Sequence, residues 1–196
     1  MLDNLKHTDI VLVSHSPRRR QLLKKLGLHF HVTSATCEEN FPSNLKGEEI
    51  PLFLSNLKAE NCPEQIKDNT LIIAADTVVL IDGQILGKPA DKNEAMIMLR
   101  QISGTSHQVI TGVTLKSIYY KKSFSSTTRV NFYPPNEDEI NYYVKKYKPI
   151  DKAGAYGIQE WIGLMGIENI EGCFYNVMGL PLPKLYQELK QWKEVN

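Results

Sequence analysis

Asp9-Ile10-Val11-Leu12-Val13-Ser14-His15-Ser16-Pro17-Arg18-Arg19-Arg20-Gln21-Leu22-Leu23 reads as a strand, a short turn and a helix in direct succession. The aliphatic run from Asp9 to Val13 delivers Ser14, and Ser16 before Pro17 marks a helix start, with Ser16 as N-cap and Pro17 at the first helical position. Leu22, Leu23 and Leu26 supply the apolar stripe, and Gly27 stops the helix. A strand that hands a serine to a helix N-terminus is the βα geometry with which α/β proteins hold phosphates. Arginines in a first turn oppose the helix dipole by a few tenths to about 1 kcal/mol each. An anion reconciles them, because free amides and guanidinium forks then converge on the same oxygens. A solvated basic turn is the competing reading.

Outward from this unit, strands and helices alternate. His29 to Thr33 has the two-residue period of a strand, and Glu38 and Glu39 follow in a polar loop. Leu52, Leu54 and Leu57 predict a helix over Pro51 to Asn61. Thr70 to Ile81 is β-branched and aliphatic, and Asp82-Gly83 before Gln84 to Gly87 is a hairpin signal. Ala95, Met96 and Leu99 place a helix at Lys92 to Gln101, capped by Asp91 and closed by Gly104. Two longer strands, Val109 to Ile118 and Ser126 to Tyr133, precede a helix at Glu137 to Tyr147 that Pro149 ends. A glycine-rich stretch at Asp151 to Gly157 leads to Gln159, and a last helix runs from Pro183 to Lys193. The alternation argues an α/β fold, and the hairpin makes its sheet mixed.

The 196 residues suit one domain, 1–196, with room for two lobes. A chain of that size buries about 70% of the surface it exposes unfolded. Lys plus Arg number 23 against 22 Asp plus Glu, so a net charge of +1 gives no long-range pull toward a nucleic-acid polyanion. Cys37, Cys62 and Cys173 are odd in number and lack CxxC spacing, which reads as reduced thiols in a cytoplasmic protein. The N-terminus has no signal-peptide pattern. The longest apolar run, Leu71 to Ile81, is about eleven residues and broken by Asp76, too short to span a membrane.

Asp76 stands out chemically because both faces of its strand are apolar. A carboxylate there is costly unless paired, hydrogen-bonded or metal-bound. A strand-end Asp satisfied by backbone groups is the alternative. With Asp82 and Gly83 as the two turn residues, the ladder pairs Thr77 with Lys88, bringing an ammonium beside the Asp76-Thr77 dipeptide. Lys88 alone reads as an exposed lysine, and Lys58 as a solvated or snorkelling side chain of its helix. Glu38 or Glu39 joined to Asp76 would make the oxygen-rich site that magnesium or manganese prefers. Gln159 offers both a donor and an acceptor, matching the imide edge of uracil or thymine. His15 and His107 lack a carboxylate–His–Ser arrangement, and no serine has a GxSxG context.

SHSPRRRQLL, IIAADTVV, GKP, ISGTSHQVITGV, DKAGAYGIQ and YNVMGLPL occur in one order and spacing. In this the chain resembles the Maf family of nucleoside triphosphate pyrophosphatases, from about Ile10 to Leu189. The resemblance implies a single Maf-like domain related in fold to the inosine-triphosphate pyrophosphatases: an elongated mixed sheet flanked by helices, two lobes and a cleft. It also implies hydrolysis of a nucleoside triphosphate to monophosphate and pyrophosphate with a divalent metal cation, Mg or Mn, and a homodimer. Arg18, Thr77 and Gln159 resemble the branch that prefers dTTP and UTP, a house-cleaning hydrolase of pyrimidine nucleotides. The 7-methyl-GTP branch typically has tryptophan at the first of these positions. Two departures are His15, where the family usually has glycine, and Cys173, where serine is more usual.

On this reading Ser14, Arg18 and Arg19 grip the triphosphate, and Lys58 and Lys88 neutralise charge as the bond breaks. Asp76 orients or deprotonates the attacking water, Glu39 and Asp76 hold the metal, and Thr77 and Gln159 complete substrate binding, with Arg20 a solvated neighbour. The alternatives are a nucleotide-binding regulator of cell division and septum formation, or a pyrophosphatase for a different modified nucleotide. A nucleic-acid module built on Tyr142, Tyr143, Lys145 and Lys146 is disfavoured, because helical spacing divides these residues between core and solvent.

Overall fold

The computed structural model describes residues 2–192. Seven strands form a single mixed sheet: β1 (Asp9–Val13), β2 (His31–Thr33), β3 (Thr70–Ile81), β4 (Gln84–Leu86), β5 (Ser106–Lys116), β6 (Lys121–Phe132) and β7 (Ile167–Glu171). Their order is β2-β1-β3-β5-β6-β7, with β4 paired to β3. The helices are α1 (Pro17–Lys24), α2 (Glu49–Glu60), α3 (Lys92–Ile102), α4 (Glu137–Tyr147), α5 (Trp161–Gly166), α6 (Phe174–Val177) and α7 (Leu182–Gln191). The expected end of the last helix at Lys193 lies outside the described residues.

The chain divides into two compact units: residues 1–76, 111–126 and 179–196, and residues 77–110 and 127–178. In the first, β1 pairs in parallel with β2 and with β3, Val11 lying opposite His31 on one side and Ile72 on the other. Strands enclosed on both faces read as continuous apolar runs, and Ile10 to Val13 and Leu71 to Ala75 are all buried. Val11, Val13, Ile72, Ala74 and Ala59 of α2 pack together. Ser16 caps α1 as expected, its Oγ accepting the Arg19 amide at 3.4 Å, and Leu22 and Leu23 are fully buried. Burying each is worth about 1.5–3 kcal/mol, which anchors a helix whose first turn is otherwise charged.

In the second unit, α3 and α4 pack on the sheet through Ala95, Leu99, Ile102, Ile140 and Tyr143. Asp91 caps α3 through the Glu94 amide at 2.9 Å, and Asn136 and Glu139 form a reciprocal capping box on α4. The Asp82-Gly83 hairpin forms as expected, with φ of 48° and 78°. Its ladder runs Ile81–Gln84, Leu80–Ile85, Val79–Leu86 and ends there. The expected Thr77–Lys88 pairing is therefore not reached. The Gly87 carbonyl accepts instead from the Gly154 amide at 3.0 Å, and Pro89 has no amide to offer a ladder. The Tyr142–Lys146 segment divides as helical spacing predicts: Tyr143 and Val144 are buried, Tyr142 and Lys146 exposed.

Candidate active site

Asp76 is 7% exposed, and its Oδ1 accepts from Lys58 Nζ at 2.5 Å. The same ammonium lies 3.1 Å from Glu39 Oε1. Two carboxylates from different segments thus converge on one cation, and Lys58 is itself buried on α2. The snorkelling reading of Lys58 gives way, because its head is turned inward onto Asp76. Asp76 is likewise no backbone-satisfied strand end but half of an ion pair. Glu38 is oriented elsewhere, accepting from Asn40 Nδ2 at 2.9 Å.

The placement of Lys58 rests on close packing that sequence reading missed. Ser55, one turn before it, donates to the Leu52 carbonyl at 2.9 Å and lies 3.0 Å from Thr114 Oγ1 on β5. Gly112 of β5 meets α2 so closely that a Cβ there would lie 2.3 Å from the Pro51 backbone. Glycine is required because helix and strand backbones touch.

The βα turn forms the second part of the site. Ser14 is buried, its amide bonded to the Thr33 carbonyl at 2.9 Å and its Oγ accepting the Ser16 amide at 3.1 Å. Ser14, His15, Ser16 and Arg20 line a pocket of about 410 Å³ together with Thr33 and Ser34. Arg20, expected to be a solvated neighbour, is exposed but faces this pocket. Arg19 is tied by its Nε to the Gly179 carbonyl at 2.7 Å, within the YNVMGLPL segment. Burial pulls its guanidinium below the ordinary arginine range; the Asp76 carboxylate opposes this, Arg18 adds to it, and Glu39 opposes it. Arg19 therefore senses the same carboxylates that hold Lys58. Arg18 is half-buried in the first turn of α1.

His15 does not strain the loop. Among the described residues the non-glycine positions with positive φ are Asp82, Lys148 and Ala155, so the backbone at His15 does not call for glycine. Cys173 engages Thr128 through its backbone alone, its amide donating to Oγ1 at 3.0 Å and its carbonyl accepting at 3.1 Å. A serine makes those bonds equally.

The remaining expected residues belong to the second unit. Thr77 is half-buried on β3, Lys88 is exposed beyond β4, and Gln159 is exposed in a turn. His107 is a core group, 2% exposed with Nε2 2.8 Å from the Tyr156 hydroxyl, and burial lowers its pKa to about 4. It stays neutral near pH 7 and plays no part as an exposed base.

An arginine-rich βα turn thus accompanies a buried carboxylate, Asp76, that shares the Lys58 ammonium with the exposed Glu39. The family model described as Maf-like protein matches residues 9–192. The chain belongs to the Maf-like family. Maf-like relatives include a dTTP/UTP pyrophosphatase of Porphyromonas gingivalis, 50% identical over 199 residues and matched across all of both chains. One of Bacteroides fragilis is 51% identical over 192 residues, which is 97% of this chain and 100% of that one. Among solved structures, the Ham1 protein of Staphylococcus aureus superposes with a TM-score of 0.51 at 17% identity, covering 92% of this chain and 98% of its own. That likeness concerns the fold, and it agrees with the mixed α/β sheet. Within this Maf-like chain, no group of three or more His, Cys, Asp or Glu side chains forms a metal cluster among the described residues. No helix among them is long and apolar enough to cross a membrane.

Proposed function

We propose that this chain hydrolyses dTTP and UTP to the nucleoside monophosphate and pyrophosphate. The observation that carries the reading is the buried Asp76 carboxylate, held at 2.5 Å by Lys58 with Glu39 on the same ammonium. Full-length relatives about half identical to the chain bear that activity in their names. Such a reaction needs a general base, cations for the phosphates and a reader of the base.

Asp76 takes the proton of the attacking water through Oδ2, since Oδ1 is held by Lys58. Water oxygen adds to phosphorus, the bond between the α and β phosphates breaks, and pyrophosphate leaves with the bridging oxygen. Lys58, Lys88, Arg18 and Arg19 stabilise the charge that accumulates on the phosphate oxygens. Ser14 donates its hydroxyl hydrogen to a phosphate while its oxygen accepts the Ser16 amide. Asp76 and Glu39 suit a hard divalent cation, Mg or Mn, which commonly uses one or two carboxylates together with substrate phosphates. When bound, that cation neutralises phosphate charge. Gln159 pairs with the imide edge of uracil or thymine, and Thr77 contacts the same substrate. The three free cysteines accord with a cytoplasmic setting.

Pyrophosphate release is measured over dTTP, UTP, CTP, dATP, GTP and 7-methyl-GTP, with Mg, Mn or a chelator. The expected result is cation-dependent turnover favouring dTTP and UTP. Preference for a purine triphosphate overturns the reading of Gln159, and undiminished turnover in chelator overturns that of Glu39 and Asp76.

A further inference from the structure

The turn that displays Gln159 is pinned on every side except at Gln159. Its amide and carbonyl ends meet within Gly157–Glu160, where the Glu160 amide donates to the Gly157 carbonyl at 2.9 Å, and Gln159 is the third of the four residues. Tyr156, Gly157 and Ile158 before it are buried, whereas Gln159 is exposed. After it, the Gly163 amide donates to the Glu160 carbonyl at 2.9 Å. A Cβ on Gly163 would strike the Ile158 carbonyl oxygen at 1.9 Å, so that segment folds back directly onto the turn.

Three side chains close the underside. The Tyr143 hydroxyl, from α4, accepts the Gly157 amide at 3.0 Å and donates to Glu160 Oε2 in a short hydrogen bond. Glu160 Oε1 lies 3.1 Å from Lys152 Nζ, which also donates to Asp151 Oδ1 at 2.7 Å. The Glu160 carboxylate covers Gly157 so closely that a Cβ there would lie 2.8 Å from it. Burial and the Glu160 carboxylate push the Tyr143 phenol up, so it remains a donor at any physiological pH. A network anchored on the buried Tyr143 and Lys152 with each member partnered is rigid, and its geometry passes to the backbone it holds.

We propose that Tyr143, Glu160 and Lys152 are positioning residues for nucleobase choice: they lock the 157–160 turn so that the Gln159 amide is presented in one orientation. The inference rests on the reading of Gln159 as the residue that meets the pyrimidine. A side-chain amide on a loose turn offers its donor and acceptor to any base edge. Held in one orientation, it accepts the imide N–H of uracil or thymine and donates to a neighbouring carbonyl, and it places like groups against the edge of cytosine.

The test compares kcat/KM for UTP, CTP and GTP in Q159A, Y143F, E160Q and the double variant Q159A/Y143F, with thermal melting alongside. Y143F removes the hydroxyl that joins Gly157 to Glu160, and E160Q retains the shape while discharging the pair with Lys152. The expected result is a fall of about tenfold in the UTP preference of Y143F and E160Q, the scale of one lost hydrogen bond, through a higher KM for UTP while kcat holds. The double variant should be no less selective than Q159A, because the lock acts through Gln159. A destabilised protein whose selectivity is unchanged overturns the inference, as does a further loss in the double variant. Unchanged selectivity in Q159A overturns the reading of Gln159 itself, an outcome distinct from a failed lock, in which Q159A loses selectivity and the other two keep it. If Y143F fails to fold, E160Q carries the test.

Discussion

Each unit of the molecule buries a lysine against a carboxylate: Lys58 with Asp76 at 2.5 Å in the first, Lys152 with Glu160 at 3.1 Å in the second. The two pairs differ in what surrounds them. Around Asp76 the neighbours are charged, with Glu39 on the same ammonium and Arg19 within electrostatic reach. Around Glu160 they close a hydrogen-bond circuit, the Tyr143 hydroxyl on one oxygen and the Gly157 amide on that hydroxyl. A buried Lys–carboxylate pair is therefore not a reaction centre by itself. Under the proposed function it becomes one where competing charges leave room for an anionic substrate and its counter-ion, and under the further inference a brace where the remaining groups satisfy one another.

Replacing Asp76 with Asn tests that contrast most severely. Turnover of UTP with Mg should fall about 10³-fold, as expected for loss of a general base, while E160Q keeps its turnover. Comparable losses in both variants would erase the distinction between centre and brace. Gly112→Ala probes the first pair without altering any charge. Its methyl meets the Pro51 backbone, so unfolding in urea should show a loss of about 3 kcal/mol from overpacking, and kcat should drop as α2 carries Lys58 away from Asp76. Unaltered stability would mean that α2 is not seated by that contact.

The second unit should respond to acid through His107. Its imidazole is neutral in the fold, with a pKa lowered from 6.5 to about 4 by burial. The unfolded chain takes up a proton below about 6.5 and the folded one does not, so this contribution is complete above that pH and is lost as pH falls toward 4. Between pH 8 and pH 5 it amounts to about 2 kcal/mol, measurable as a difference in urea midpoints that H107Q abolishes. An equal slope in H107Q would assign the acid sensitivity to other groups. The smallest effect belongs to Cys173→Ser. Because only the backbone of that residue is engaged with Thr128, melting temperature and turnover should not change, and a measurable loss would reveal a role for the thiol.

Local signals in the chain carry much of the fold. Ser16-Pro17, Asp91 and Asp82-Gly83 each act within four residues, and each forms the cap or turn that its composition predicts; the capping box of Asn136 and Glu139 is equally local, and sequence reading missed it. α5 and β7 escape such reading because β7 is half-exposed and its side chains do not alternate cleanly. α2 begins at Glu49, ahead of Pro51, since Pro is tolerated in a first turn. Ser14, Asp76 and the arginines are conspicuous in sequence because polar groups stand where apolar or dipole-compatible ones belong. Lys58 is not, for a lysine on an amphipathic helix looks the same whether it snorkels outward or turns in.

By itself the sequence determined the α/β alternation, the capped, arginine-rich βα turn, the lone carboxylate within an apolar strand and the family to which the chain belongs. These follow from periodicity, capping and composition, which act over a few residues or accumulate as motifs along the chain. Tertiary structure alone decided that Lys58 pairs with Asp76 and Glu39, that Gly112 seats α2, and that Tyr143 and Glu160 brace the turn of Gln159. Those contacts join segments 14 to about 60 residues apart, and their geometry is set by how helices pack on a sheet, which no local pattern encodes.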